Sequence, residues 1–325
     1  MASPVNPQSP RHGLSVIQTF SHLNKQAEIH MNSPTNSSEQ GSIVEAALSI
    51  RAEANMGKLL QDAGKLKPQD MERVLKLQQE QNLRFGEAAL KLGLVTEADI
   101  QQALSHQFEY PTMSAAEASL SPELTAATAP YSKEAEALRS VRSELMLRWF
   151  RDGRKTLAVG SASADEGASY LAANLAVLFA QMGRKVLLVD ANMRQPQQHT
   201  VFSLANNAGL SEVLAERVAS VQVRAVKAFP TLSVLTAGSP PPNPAELLAR
   251  PTFDTLLSSL EASYDIILID VAPSKLSSDF QQIVARVGGM LIATRRNVSR
   301  LVPLAELKEK ITFTGAQVVG AVVLD

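Results

Sequence analysis

From about Lys155 onward the chain alternates short apolar runs with stretches of helical pattern, and this alternation restricts its fold more than any other feature. The runs read TLAVGS, KVLLVD, LSVLTA, YDIILID, GGMLIAT and VVGAVVL. Each has a largely apolar centre and no polar-apolar alternation, the pattern of a strand covered on both faces. The intervening stretches are long enough for crossover helices, so the predicted fold class is α/β, a doubly wound and mostly parallel sheet.

The N-terminal part follows different rules. Residues 1–42 are dense in Ser, Pro, Asn and Gln and bury too little to offset ordering entropy, which predicts a disordered arm. Residues 43–113 carry apolar side chains at spacings of three and four, as at Leu59, Leu60, Ala63 and at Met71, Val74, Leu75, which predicts a small all-helical domain. Residues 114–131 read as a Ser/Ala/Pro-rich linker, and residues 132–325 open with the amphipathic stretch SKEAEALRSVRSELMLRWF, expected to be one long helix ahead of the sheet domain.

Composition excludes several chemistries. The chain has no cysteine, which removes disulfides, thiolate zinc sites and a cysteine nucleophile, and its five histidines are scattered. The net charge is −1, so nucleic acid is not an expected partner. No apolar stretch reaches the roughly 18 residues of a membrane span and the opening lacks a signal-peptide pattern, so the expectation is a cytoplasmic protein.

The first strand runs into Ser161-Ala162-Ser163-Ala164-Asp165-Glu166-Gly167-Ala168-Ser169, followed by a helical pattern. This is the place of a phosphate-binding loop, where glycines let backbone N–H groups face phosphates, a lysine reaches the β and γ oxygens, and Ser or Thr ligates Mg²⁺. Two more strands end in a carboxylate: VLLVDANMRQP at Asp190, with Asn192 and Arg194 behind it, and YDIILIDVAP at Asp270.

Taken in order, these stations resemble the deviant Walker A, Walker A′ and Walker B motifs of the ParA/MinD-like P-loop branch, and more closely those of the bacterial tyrosine kinases. The helix before the sheet is similar too, since Glu136-Ala137-Leu138-Arg139-Ser140-Val141-Arg142 has the E-x-x-R-x-x-R pattern with which those kinases assemble rings. So is the stretch Leu235-Thr236-Ala237-Gly238-Ser239-Pro240-Pro241-Pro242-Asn243-Pro244. Within the group, the chain is most similar to the kinases associated with chain-length determinants in exopolysaccharide biosynthesis.

The resemblance implies ATP and Mg²⁺ as cofactors. Ser163, Asp165, Glu166, Gly167, Ala168, Ser169 and Arg194 would address the nucleotide, Ser169, Asp190 and Asp270 the metal, and Asp190, Asn192 and Asp270 the chemistry. It further implies self-association through Glu136, Arg139 and Arg142, docking on the cytoplasmic tail of a membrane chain-length determinant, and so peripheral association with the inner membrane through that partner.

Departures from the family pattern bear on activity. Asp165 stands where the family has Gly, and Ala168 where it has Lys or Arg. A unit charge about 4 Å from a phosphate oxygen is worth roughly 4 kcal/mol at an effective dielectric of 20, so both changes act against ATP. Asn192 cannot serve as a base, and Ala272 replaces a Pro after Walker B. Tyr110, Tyr131, Tyr170 and Tyr264 are internal, and the terminal tyrosine cluster of the family is not seen. The reading is a kinase-derived regulator of polysaccharide chain length and export with impaired ATP binding and catalysis. The alternatives are an active tyrosine autokinase of the same pathway and a ParA/MinD-like positioning ATPase, although the loop lacks the signature lysine of the latter.

The helical domain contains a repeat. Asn55-Met56-Gly57, then Gly64, Leu66, Met71, Leu75 and Gln78, recur as Arg84-Phe85-Gly86, then Gly93, Val95, Ile100, Leu104 and Gln107, with Gly57 to Gly86 and Gln78 to Gln107 both 29 positions apart. Two copies of one helix-turn-helix unit sharing a core are expected. The repeat resembles the N-terminal domain of type II secretion ATPases, which implies either protein docking or a cyclic di-GMP site at Arg84, Gly86, Gly93 and Gln107. The other position of the family's Arg is Asn55, which favours docking.

Overall fold

The computed structural model describes residues 56–62, 64–81, 83–97, 99, 100, 103, 120–218 and 220–325. The predicted arm, Asn55, Leu104, Gln107 and Tyr110 lie outside the described residues. The chain divides into two compact units, one containing the described residues up to 103 and the other those from 120 onward.

In the small unit, residues 56–62 are helical and are followed by helices Pro68–Gln81 and Phe85–Lys91. Leu60, Val74, Phe85, Ala88, Ala89, Val95 and Ile100 form its core. The repeat in the sequence is a repeat of contacts. A Cβ on Gly57 would crowd the Met71 side chain, and one on Gly86 would crowd Ile100 at the equivalent place. Gly64 and Gly93 both adopt left-handed φ, +69° and +65°, and close their helices by donating to Gln61 O and Leu90 O.

The large unit holds a seven-stranded sheet of β1 Thr156–Ser161, β2 Val186–Asp190, β3 Arg224–Val226, β4 Phe229–Leu235, β5 Ile266–Asp270, β6 Gly289–Arg295 and β7 Gln317–Leu324, in the order β3-β4-β2-β5-β1-β6-β7. All pairs are parallel except β3 with β4. Alternate residues of the central strands feed opposite layers. Leu157, Leu188 and Leu268 pack under helices Lys133–Arg148 and Ala168–Gln181, whereas Ala158, Leu187 and Ile267 pack under Pro251–Ser263, Asp279–Val287 and Leu301–Phe313. Each fully buried leucine contributes about 2 kcal/mol through the water it sheds. No helix among the described residues is long and apolar enough to cross a membrane.

Three differences from the sequence reading have local causes. The three-residue β3 was not among the apolar runs, because it is half exposed and joined to β4 by a tight antiparallel turn. The long helix ends at Arg148, and Trp149 behind it is buried, its indole donating to Thr156 O at 2.8 Å, with Gly289 leaving room for the ring. Residues 120–131, expected as linker, are packed: Leu124, Ala126 and Ala127 are buried around the short helix Thr125–Thr128. Asn174 fixes them, accepting from Ala126 N at 2.8 Å and donating to Glu123 O at 3.0 Å. Small apolar side chains look like linker in composition but fit closely against a helix.

Candidate functional site

The sheet order makes the site. β1 lies between β5 and β6, so its chain turns away over the sheet before returning as β2 on the far side of β5. Crevices for ligands form at the carboxyl ends of strands at such a reversal. Asp190 and Asp270 are the last residues of β2 and β5 and are register partners, which sets two fully buried carboxylates side by side.

Their surroundings keep the pair in place. Asp190 Oδ2 accepts the backbone N–H of Gln197 at 3.1 Å and of Gln198 at 3.0 Å. The buried Gln198 side chain donates to Asp270 Oδ2 at 2.7 Å and to Ser169 O at 3.1 Å, and Ser169 hydrogen-bonds Asp270 as well. Oδ1 of each acid is buried without a partner. Burial, opposed by those two hydrogen bonds, raises the Asp270 carboxyl to about 6. Burial first, and then the charge of Asp270, pushes Asp190 well above the usual carboxylate range.

The loop between β1 and helix Ala168–Gln181 has the expected turn with altered chemistry. Gly167 caps the helix at φ +83°, where a Cβ would strike Leu324. Asp165 is held at φ +64°, a left-handed conformation that glycine adopts without strain. Glu166 is buried and turned into the loop, where Oε2 accepts Ser163 N–H at 2.9 Å and Oε1 accepts Ser299 Oγ–H at 2.8 Å. Ala168 contributes no charge. A cleft of about 210 Å³ opens over the loop, lined by residues 164–170 with Ser161, Asn192, Gln195, Gln197, Pro273 and Arg295 among others.

The structure thus brings together Asp165, Glu166, Gly167, Ala168, Ser169 and Asn192 at the cleft, with Asp190 and Asp270 beside Ser169. Two expectations change. Arg194, expected at the nucleotide, is bonded to the buried Asp279 through Nε at 2.7 Å and Nη2 at 3.2 Å, because an acid buried at the start of helix Asp279–Val287 needs a partner. Ser163, also expected there, donates its N–H to Glu166 within the loop. Away from the cleft, Glu136 and Arg139 pair with each other at 2.7 Å and Arg142 lies on the same helix, while in the small unit Arg84 N–H donates to Glu87. Sequence reasoning missed Gln198, Ser299 and Arg295. The strand end at Arg295 was a usable signal, since an arginine closing an apolar run at this edge of a sheet faces the crevice.

Ser169, Asp190 and Asp270 form a set of hard oxygen donors with two carboxylate oxygens unpartnered, which fits Mg²⁺. The phosphate side fits ATP less well, because Ala168 carries no cation and Asp165 adds an anion. No protein-family model matches the chain. Over 193 residues it is 35% identical to a putative tyrosine-protein kinase, CapB, of Staphylococcus aureus, spanning 59% of this chain and 85% of that protein. It is 34% identical to the tyrosine-protein kinase YwqD of Bacillus subtilis, spanning 61% of this chain and 83% of that one. The kinase domain of the Escherichia coli tyrosine kinase ETK superposes on 63% of this chain and 80% of its own with a TM-score of 0.60 at 28% identity. With its motif order, sheet order and paired strand-end acids in register, the chain belongs to the bacterial tyrosine kinase family.

Proposed function

We propose that this protein regulates exopolysaccharide chain length and export as a tyrosine-kinase-like P-loop protein that binds ATP weakly and transfers its phosphate slowly. One observation carries the reading: the acid pair is whole while the loop beside it has Asp165 in a glycine's conformation and Ala168 in a cation's place. Ser169, Asp190 and Asp270 would hold Mg²⁺, whose chemistry at such a site is to neutralise charge on the phosphates. Gln198 orients Asp270, and the N–H groups of Gln197 and Gln198 orient Asp190. Phosphoryl transfer depends on positioning and charge stabilisation, so a cradle without its cation leaves the chemical step slow.

The partner in this reading is the cytoplasmic tail of a membrane chain-length determinant, which would keep the protein at the inner membrane. The helix bearing Glu136, Arg139 and Arg142 serves self-association. The small unit docks protein, a use supported by repeat glycines that are taken up by packing and turns. Incubating the purified chain with Mg²⁺, ATP and a tyrosine-bearing acceptor peptide and measuring phosphotyrosine tests the proposal. The variant carrying Asp165→Gly and Ala168→Lys should yield about 100-fold more, the scale of restoring one stabilising group. A phosphotyrosine yield in the unaltered chain as high as in the variant, and well above a control without protein, would replace the regulator with an active tyrosine kinase.

A further inference from the structure

We infer that Arg295 supplies from β6 the phosphate-facing cation that the loop itself lacks, so that the cleft grips the diphosphate portion shared by ADP and ATP. The inference rests on reading the cleft as a nucleotide site. Arg295 is the last residue of β6, next to β1 in the sheet, and it lines the cleft with residues 164–170. Its Nη2 lies 3.7 Å from where a Cβ on Gly167 would stand, which sets the guanidinium beside the loop at Gly167. Its Nε is buried without a partner, and among the described residues no carboxylate forms an ion pair with it.

The arginine is held there by a short relay. Ser299 Oγ accepts Arg295 N–H at 2.8 Å and donates to Glu166 Oε1 at 2.8 Å, which ties the turn after β6 to the phosphate loop. Glu166 is engaged in that relay and with Ser163 N–H, and the Tyr170 hydroxyl donates to Thr125 Oγ1 at 3.1 Å. Of the remaining charged groups on the cleft, Glu123 and Asp165 are acids, so Arg295 is its one cationic lining residue among those described.

Position decides which phosphates it meets. Backbone N–H groups of such a loop cradle the α and β phosphates, whereas the lysine at the place of Ala168 reaches β and γ. A guanidinium beside Gly167 therefore addresses α and β and leaves γ without a positive side chain. This predicts nearly equal affinity for ADP and ATP, together with poor transfer of the γ-phosphate.

The test is fluorescence titration of the full chain, with Mg²⁺, by labelled ADP and ATP, competed with pyrophosphate. Arg295→Ala should weaken both nucleotides about tenfold or more, the size of a lost charge-assisted hydrogen bond. Arg295→Lys should recover part of the loss, and Lys275→Ala, which alters a cation outside the cleft lining, should change neither. Adding Ala168→Lys to Arg295→Ala should restore ATP in preference to ADP. Unchanged affinity in Arg295→Ala overturns the inference and leaves the nucleotide reading standing. Binding only after Ala168→Lys overturns it likewise. If no form binds, the nucleotide reading itself falls.

Discussion

The two sides of the cleft are built from adjacent strand ends and have diverged. On one side Asp190 and Asp270 are buried, the half-buried Ser169 is bonded to Asp270, and Gln198, whose side chain no solvent reaches, supports both acids. On the other the loop has Gly167 at its helix cap, Asp165 in a left-handed conformation and the uncharged Ala168 where a phosphate-binding loop places its cation. The contrast shows that shape and electrostatics can part. The acids are bonded to several neighbours at the ends of central strands, so changing one disturbs the sheet, whereas a lysine at position 168 would bond mainly to its ligand, so an alanine there costs the fold little.

The comparison can be broken first at Asp270. Its carboxyl titrates near 6 in the folded protein against an ordinary 3.8, so the folded state holds the proton more tightly than the unfolded chain. Without metal, its contribution is fully present below about pH 4 and is lost as pH rises through 6, a change on the order of 3 kcal/mol. Asp270→Asn should flatten that stretch of the stability profile, measured by chemical denaturation at successive pH values. Added Mg²⁺ should flatten it in the unaltered chain. A profile unaffected by either would mean that the acids are not a strained pair.

A smaller effect is expected at Arg194. Arg194→Ala leaves the buried Asp279 without its partner and should cost about 1–3 kcal/mol in thermal unfolding. Nucleotide affinity should stay the same, and a large loss would return Arg194 to the phosphate side and narrow the contrast between the two halves. The smallest effect lies in the helical unit. Calorimetric titration with cyclic di-GMP should give no binding heat, with Arg84→Ala as the control. Heat that vanishes in the control would mean that the chain has an anion site in its repeat as well.

Much of this architecture could be read before the structure. Short, mostly apolar runs identified six of the seven strands, and the acids at the ends of VLLVD and IILID marked the crevice because a charge closing a buried strand has to meet something. The repeat was equally plain, since glycines 29 positions apart answer to the same turn and the same close approach. What stayed hidden depended on partners distant in sequence. Nothing in Gln195-Pro196-Gln197-Gln198 distinguishes the buried amide from its neighbours until β5 is set beside it. Arg194 looked like a nucleotide ligand until Asp279 was found beside it. Arg295 and Arg296 are consecutive in the chain, and only the pairing of Arg296 with Asp325 separates their roles.

Asn174 carries one more consequence. It fastens the chain at residues 123–126 to the helix whose first turn closes the phosphate loop. A displacement of residues 123–126 is therefore delivered within two turns of the loop.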